Sequence, residues 1–305
     1  MSLNRIKVIV NPQADFGFAW QGAGALEKTG AEYSGIEWDY TEHPHHADEL
    51  AYKAGLDGYD MVIAVGGDGT AHEVVNGLME LEPSRRPVLG VIPMGSGNDF
   101  AYALGMDPAP EAAFRQVMIG NIKKVDIGLL KDQYGRREYF TNAVGIGFDA
   151  NVTNYFKKVK YLRGIPAYMA AIIQTLILHH DAPRMQVKTD TEQWEEESLL
   201  FVVCNGSREG GGFLIAPSSL PDDGVFHYAR VVKISRLMML RLIPEVMKGT
   251  HERFKQVNSG YFQKMELNAD RPLHIHTDGE IYAGFESTIE KISVEILPGE
   301  IEVSA

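Results

Sequence analysis

The sequence predicts an α/β protein of two domains: an N-terminal three-layer α/β domain, residues 1–128, and a C-terminal, mainly antiparallel β domain with helical insertions, residues 129–305. Three observations predict it. A chain of 305 residues suits about two domains of ordinary size. Its first 130 residues alternate short apolar runs with helical patterns. After about Asp126 the strand-like runs crowd together.

In the first part, Ile6-Lys7-Val8-Ile9-Val10 reads as a buried strand ending at Asn11-Pro12. Met61–Val65 is a second strand and runs straight into glycines. Val88–Ile92 is a third, stopped by Pro93. Helical patterns lie between them at His46–Leu56, Thr70–Leu81 and Asn98–Leu104. Strand–helix alternation indicates a parallel sheet covered by helices on both faces. Apolar runs without period-2 alternation indicate strands buried on both sides. In the second part, strands are expected at Glu138–Val144, Arg184–Thr189, Leu199–Cys204, Val225–Val232, Gln263–Leu267 and Leu273–His276. Helices are expected near Pro166–His180, with Pro166 in the first turn, and near Ser235–Lys248. The closing run, Ile292–Val303, reads as two short strands split by Pro298-Gly299. Whether residues 290–305 join the first domain or the second stays open.

Composition narrows the function. Hydrophobic residues at 45% and charged residues at 23% exclude a mostly disordered chain. No stretch reaches the roughly 18 apolar residues that span a bilayer, and no signal segment opens the chain. The formal charge of −12 argues against nucleic-acid binding, which relies on basic patches. It also repels an anionic membrane unless a local basic patch offsets it. Cys204 is the single cysteine, so no internal disulfide forms, which points to a reducing compartment, the cytoplasm.

Two glycine-rich turns carry chemistry. Gly66-Gly67-Asp68-Gly69-Thr70 follows a strand and precedes a helix. Glycines let backbone approach phosphates closely, and a helix N-terminus offers free N–H groups and a favourable dipole. The turn is neither a Walker A loop nor the dinucleotide fingerprint. Asp68 would repel a bare phosphate and makes sense beside Mg²⁺; otherwise it is a helix-cap residue. Pro93-Met94-Gly95-Ser96-Gly97-Asn98-Asp99-Phe100 repeats the arrangement after the next strand. Together the turns form a paired phosphate-binding rim.

These turns, with Glu73-Val74-Val75-Asn76-Gly77 between them, resemble the diacylglycerol kinase catalytic domain. Asn205-Gly206, Gly210-Gly211-Gly212-Phe213, Ala216-Pro217, Asp222-Asp223-Gly224 and Asp278-Gly279-Glu280 resemble the second domain of bacterial soluble lipid kinases. The family includes sphingosine and ceramide kinases, and its nucleotide domain is similar to those of phosphofructokinase and NAD kinase. The resemblance implies ATP and Mg²⁺. It places Gly66, Gly67, Asp68, Gly69, Thr70, Ala71 and His72 around the phosphates, with Gly95, Ser96 and Asn98 beside them. Thr41 matches a threonine that contacts the nucleotide. Glu280 matches the catalytic base, which takes a proton from the lipid hydroxyl as it attacks the γ-phosphorus. Glu280 and Asp68 are far apart in sequence, so this mechanism requires a cleft between the domains. A second, non-catalytic Mg²⁺ is implied at Leu220, Asp223 and Val225, through one carboxylate and two backbone carbonyls. One departure stands out: Gln13-Ala14-Asp15 occupies the loop where relatives carry glycine near a basic residue, which questions how that loop would neutralise phosphate.

The implied activity is transfer of the γ-phosphoryl group of ATP to a lipid hydroxyl, foremost diacylglycerol. Alternatives are another alcohol (phosphatidylglycerol, a sphingoid base or a soluble metabolite such as NAD) or a nucleotide-binding regulator without catalysis. No base-reading residue distinguishes ATP from GTP. A lipid kinase must reach its substrate at the inner face of the membrane. Lys157, Lys158, Lys160 and Arg163, interleaved with Tyr155, Phe156 and Tyr161, suit anionic headgroups, although a solvated helix face has the same composition. His43, His45, His46, His179, His180, His274 and His276 read as surface or packing histidines. Met238, Met239, Leu240, Leu242 and Met247 read as helix core, or as an acyl pocket lined by adaptable methionines. A homodimer stays open.

Overall fold

A computed structural model describes residues 4–159, 162 and 164–305. It divides into two compact units, Met1–Ile127 with Gly299–Ala305, and Gly128–Pro298.

The first unit runs β1 (Ile6–Val10), α1 (Phe18–Gly30), β2 (Ile36–Tyr40), α2 (His46–Leu56), β3 (Met61–Gly66), α3 (Asp68–Met79), β4 (Val88–Pro93), α4 (Asp99–Leu104) and α5 (Pro110–Ile119), then enters β5 (Ile122–Asp132). Strands β2-β1-β3-β4 form a parallel sheet in that order. Every residue of β3 and β4 is buried, which explains their unbroken apolar runs. β2 escapes the sequence reading because it is an edge strand that alternates Ile36, Trp38 and Tyr40 with Glu37 and Asp39. Both acids bind Lys7 of β1, at 3.2 and 3.0 Å. α3 starts at Asp68, two residues before the expected Thr70, so Asp68 lies in the first helical turn. α2 packs on α3 through a close approach: a Cβ at Gly77 would lie 2.1 Å from the Asp48 carbonyl oxygen. Glu73 of α3 accepts the His45 and Ala47 N–H groups at 3.0 and 3.2 Å. It thereby satisfies donors that the start of α2 leaves open.

The second unit contains β6 (Arg137–Phe140), β7 (Ala143–Gly147), α6 (Phe148–Phe156), α7 (Gly164–Leu178), β8 (Arg184–Thr189), β9 (Gln193–Cys204), β10 (Phe226–Val232), α8 (Arg236–Met247), β11 (Val257–Phe262), β12 (Lys264–Ala269), β13 (Ile275–Thr277), β14 (Glu280–Ala283) and β15 (Lys291–Ser304). β9 changes partners midway. Gln193–Glu197 pairs with β8, and its C-terminal half pairs with β7 and β10. One antiparallel sheet continues β8-β12-β15. The other runs β14-β13-β7-β9-β10-β11. Phe201 and Val203 of β9 join Phe140, Phe226 and Phe262 in one core. Leu200, Val202 and Cys204 point the other way, into a second core with α6, α7 and α8. Both faces of this half-strand are therefore covered, and its sequence is apolar throughout.

Two expected elements differ. The strand predicted over Glu138–Val144 is broken into β6 and β7, because the Asp278 carboxylate takes the N–H groups of Thr141, Asn142 and Ala143 at 2.8, 2.8 and 3.0 Å. The two closing strands are one, β15, which continues through Pro298-Gly299. Gly299 has φ +60° there, and its N–H is held by Asp126 at 2.7 Å. The part of β15 beyond Pro298 belongs to the first unit, where Val303 pairs with Leu89 in parallel.

Candidate active site

In the first unit the parallel strands end together, which sets Asn11, Thr41, Gly67 and Met94 along one edge of the sheet. The two glycine turns touch backbone to backbone. A Cβ on Gly95 would lie 2.3 Å from the Gly67 Cα, and one on Gly67 would lie 3.1 Å from the Gly95 Cα. The Met94 N–H bonds the Gly66 carbonyl at 2.7 Å. Asn98 stands in the left-handed region, φ 55° and ψ 41°. Its Oδ1 accepts the Gly95 N–H and its Nδ2 donates to the Gly95 carbonyl, both at 2.8 Å. Asn11 braces the adjoining loop, donating from Nδ2 to Thr70 Oγ1 at 3.0 Å and accepting the Gln13 N–H at 2.9 Å.

Thr70, Ala71 and His72 have buried side chains, and the Thr70 and Ala71 N–H groups donate to the Gly67 carbonyl at 3.0 and 3.2 Å. Gly67, Asp68 and Gly69 are half-buried and Ser96 is exposed. Asp68 Oδ1 accepts the Phe100 N–H at 3.1 Å and so caps α4. A Cβ on Gly97 would lie 2.7 Å from Asp68 Oδ2 and 3.2 Å from Asp99 Oδ2. Two carboxylates thus flank one glycine, and such hard oxygen donors fit Mg²⁺. Asp99 is buried here. Its signal in the sequence is an acid in the second glycine turn, matching Asp68 in the first. Gly95→Ala is expected to weaken ATP–Mg²⁺ binding by about 10-fold or more, since overpacking costs about 1–3 kcal/mol. Titration calorimetry checks this, and affinity equal to the parent would show that the contact between the turns does not shape the site.

In the second unit, Asp278-Gly279 is a two-residue turn joining β13 to β14, with φ of +50° and +80°. Positive φ at both positions suits a tight hairpin. The turn is not merely superficial, because Asp278 is buried. Besides the three N–H groups named above, its carboxylate accepts the Thr141 hydroxyl at 3.1 Å. Asn205 and Gly206 donate their N–H groups to the Asn142 carbonyl at 2.7 and 3.1 Å, and Asn205 Nδ2 donates to the Thr141 carbonyl at 2.8 Å. The Asn205-Gly206 motif therefore fixes the same two residues that Asp278 holds. Glu280, the first residue of β14, is partly exposed and paired with Lys157 at the end of α6.

The family model for the diacylglycerol kinase catalytic domain matches residues 5–130. The model for the YegS C-terminal NAD kinase beta sandwich-like domain matches residues 142–305. The chain belongs to the diacylglycerol kinase family of lipid kinases. It is 32% identical over 257 residues to a diacylglycerol kinase of Bacillus subtilis, covering 83% of this chain and 78% of that one. It is also 32% identical over 234 residues to a YegS-like protein of Chromohalobacter salexigens named "Probable lipid kinase", covering 76% and 73%. A crystal structure of a diacylglycerol kinase from Bacillus anthracis shares the fold, with a TM-score of 0.73 at 21% identity over 100% of this chain and 97% of that one.

For this lipid kinase family member the remaining candidate residues fall as follows. Asp223 accepts the Leu220 and Val225 N–H groups at 3.2 and 3.1 Å, and His227 Nε2 stands 3.4 Å away. The turn brings all three expected residues together around one carboxylate. A Mg²⁺ there would take its other ligands from carbonyls and water. Lys157 binds Glu280, and the Lys158 ammonium lies over the rings of Phe285 and Tyr155 at 5.1 and 5.7 Å. Lys160, Tyr161 and Arg163 lie outside the described residues, as does the Asp15 side chain. His43 and His46 stack at 4.5 Å.

His276, expected from the sequence to be a surface or packing histidine, instead meets two carboxylates. Fully buried, its Nε2 lies 2.7 Å from Asp149 Oδ2 and 3.0 Å from Glu209 Oε1. Burial alone would favour the neutral ring, while the charges of Glu209 and Asp149 favour a proton on the Nε2 that faces them. Burial, then the same two charges, also push the Cys204 thiol well up, which marks it as inert. Asp149 and Glu209 also stand in the wall of an otherwise largely apolar cavity of about 60 Å³, bounded by Phe148, Met239, Leu242 and Ile243.

Proposed function

We propose that the protein transfers the γ-phosphoryl group of ATP to the free hydroxyl of diacylglycerol, giving phosphatidic acid. The observation that carries this reading is the backbone contact between the two glycine turns, with Asp68 and Asp99 flanking Gly97. That arrangement cradles polyphosphate on N–H groups and supplies oxygen donors for a cation. Mg²⁺, when bound, would neutralise charge on the transferring phosphoryl group. Gly67 and Gly95 keep side chains out of the phosphate path, Asn98 holds the second turn rigid, and Thr41 contacts the nucleotide. Glu280 takes the proton from the attacking hydroxyl. Diacylglycerol is favoured by the name of the Bacillus subtilis relative.

The cavity beside α8 supports a lipid acceptor. Its free volume, about 60 Å³, is worth only about two waters, so an acyl chain enters as Met239 and its neighbours yield; methionine adapts to such shapes. Among the described residues no helix is long and apolar enough to cross a membrane. We place the enzyme in the cytoplasm, docking reversibly on the inner face of the membrane. The uncharged α7 exposes Ile173, Ile177 and Leu178, an apolar contribution to that docking.

The test is transfer of labelled γ-phosphate from ATP–Mg²⁺ in mixed micelles holding diacylglycerol, phosphatidylglycerol, monoacylglycerol or sphingosine. Label in diacylglycerol alone is the expected result. Label in another acceptor, or in none while ATP still binds, overturns the diacylglycerol assignment.

A further inference from the structure

His276 sits two residues before the Asp278-Gly279 turn and touches it from the inside. The Gly279 N–H points at His276 Nδ1, 3.2 Å away. A backbone N–H can only donate, so Nδ1 is the acceptor and the ring carries its proton on Nε2. That N–H faces Asp149 Oδ2 and Glu209 Oε1. The Gly279 contact thus fixes which ring nitrogen carries the proton. In this arrangement the Nε2 proton bridges the ring to Asp149 and Glu209.

The surrounding backbone is built for this arrangement. His276 faces Gly145 of β7 across the sheet. A Cβ on Gly145 would lie 2.1 Å from both His276 Nε2 and Asp149 Oδ2. The β13–β14 register shifts between Ile275 and His276, and such bulges re-aim side chains. Asp149 comes from the first turn of α6 and Glu209 from the loop after β9. Three separate segments therefore converge on one imidazole whose far nitrogen holds Gly279.

We propose that His276 is a positioning residue for Glu280: Nδ1 holds the Gly279 N–H, and Asp149 and Glu209 fix the ring through Nε2, so that the turn presents Glu280 in one orientation. The proposal rests on the reading of Glu280 as the base.

The test uses the full chain. His276→Gln keeps an amide N–H near the Nε2 position and loses the acceptor for Gly279. His276→Asn keeps a carbonyl oxygen near Nδ1 and loses the bond to the carboxylates. Gly145→Ala displaces the ring without removing a titratable group. His276→Gln and Gly145→Ala are expected to lower kcat by about 10–100-fold, with KM for ATP and lipid within about twofold of the parent. His276→Asn is expected to recover most of that loss. Amide exchange at Gly279, read by NMR without turnover, is expected to quicken in His276→Gln and to stay slow in His276→Asn. ¹⁵N spectra are expected to show Nδ1 bare and Nε2 protonated at neutral pH. Equal losses in the Gln and Asn variants with unchanged Gly279 exchange would overturn the proposal, as would a proton on Nδ1 or displacement of the Nε2 proton by added Mn²⁺ or Zn²⁺. If Glu280→Gln keeps full turnover while Gly279 exchange follows the pattern above, the base assignment fails and the His276–Gly279 clamp stands.

Discussion

Glu280→Gln is expected to lower the rate of phosphoryl transfer by about 10³-fold, within the range that general acid–base groups contribute. The amide has nearly the same shape and keeps an oxygen for Lys157, so the change removes basicity rather than contacts. Glu280 is partly exposed, and its substitution is therefore expected to leave the melting temperature within about 1 °C of the parent, as for surface changes generally. ATP affinity is expected to stay unchanged, because the glycine turns lie in the other unit. KM for the lipid is expected to move by less than about threefold, since the missing group acts in the transition state. Single-turnover transfer into diacylglycerol micelles, with calorimetric ATP binding in parallel, separates these effects. A variant retaining a tenth of the parent rate would remove Glu280 from the base role. The reaction would then depend on deprotonation by another group or on late proton loss to solvent.

How far the sequence reaches depends on whether a residue's cause lies nearby in the chain. β1, β3 and β4 are readable because strands buried on both faces are apolar without interruption. α2 is readable from His46 to Leu56 because its apolar positions follow one face. β2 is hidden by Glu37 and Asp39, and their partner Lys7 lies on another strand. α1 is hidden by Gly22 and Gly24, poor helix formers. The break between β6 and β7 cannot be seen locally, because the group that makes it, Asp278, is over 130 residues away. The glycine turns are legible since their chemistry and their spacing coincide. Asp278-Gly279-Glu280 and Asp223 are legible only through resemblance, since an Asp-Gly pair by itself marks no more than a turn. The Asp149–Glu209–His276 group is illegible for the opposite reason. Each member is ordinary in its own segment, and only the fold brings the three together.

Asp278→Ala is expected to be the most destabilising single change at the second unit's turn, by about 3–5 kcal/mol. Its carboxylate accepts three N–H groups and one hydroxyl, from Thr141, Asn142 and Ala143. Water is excluded there: Thr141 and Ala143 are 1% exposed and Asn142 is 3% exposed. Donors left without a partner in such a place cost about 1–3 kcal/mol each, partly recovered as the backbone relaxes. At about 2–4 °C per kcal/mol for a unit of this size, the melting temperature is expected to fall by roughly 10 °C. Asp278→Asn is expected to recover only part of the loss, because its NH₂ group meets donors where the carboxylate met them with oxygen. Asp222→Ala, at an exposed position, serves as the control and is expected to be neutral. Activity is expected to fall with stability, because Thr141, Asn142 and the Asn205-Gly206 segment are held by the same network that fixes the residue before Gly279. A melting temperature within about 2 °C of the parent, less than 1 kcal/mol on that scale, would mean that the strand break is held without Asp278. Asn205 and Gly206, which bind the Asn142 carbonyl directly, would then carry that role.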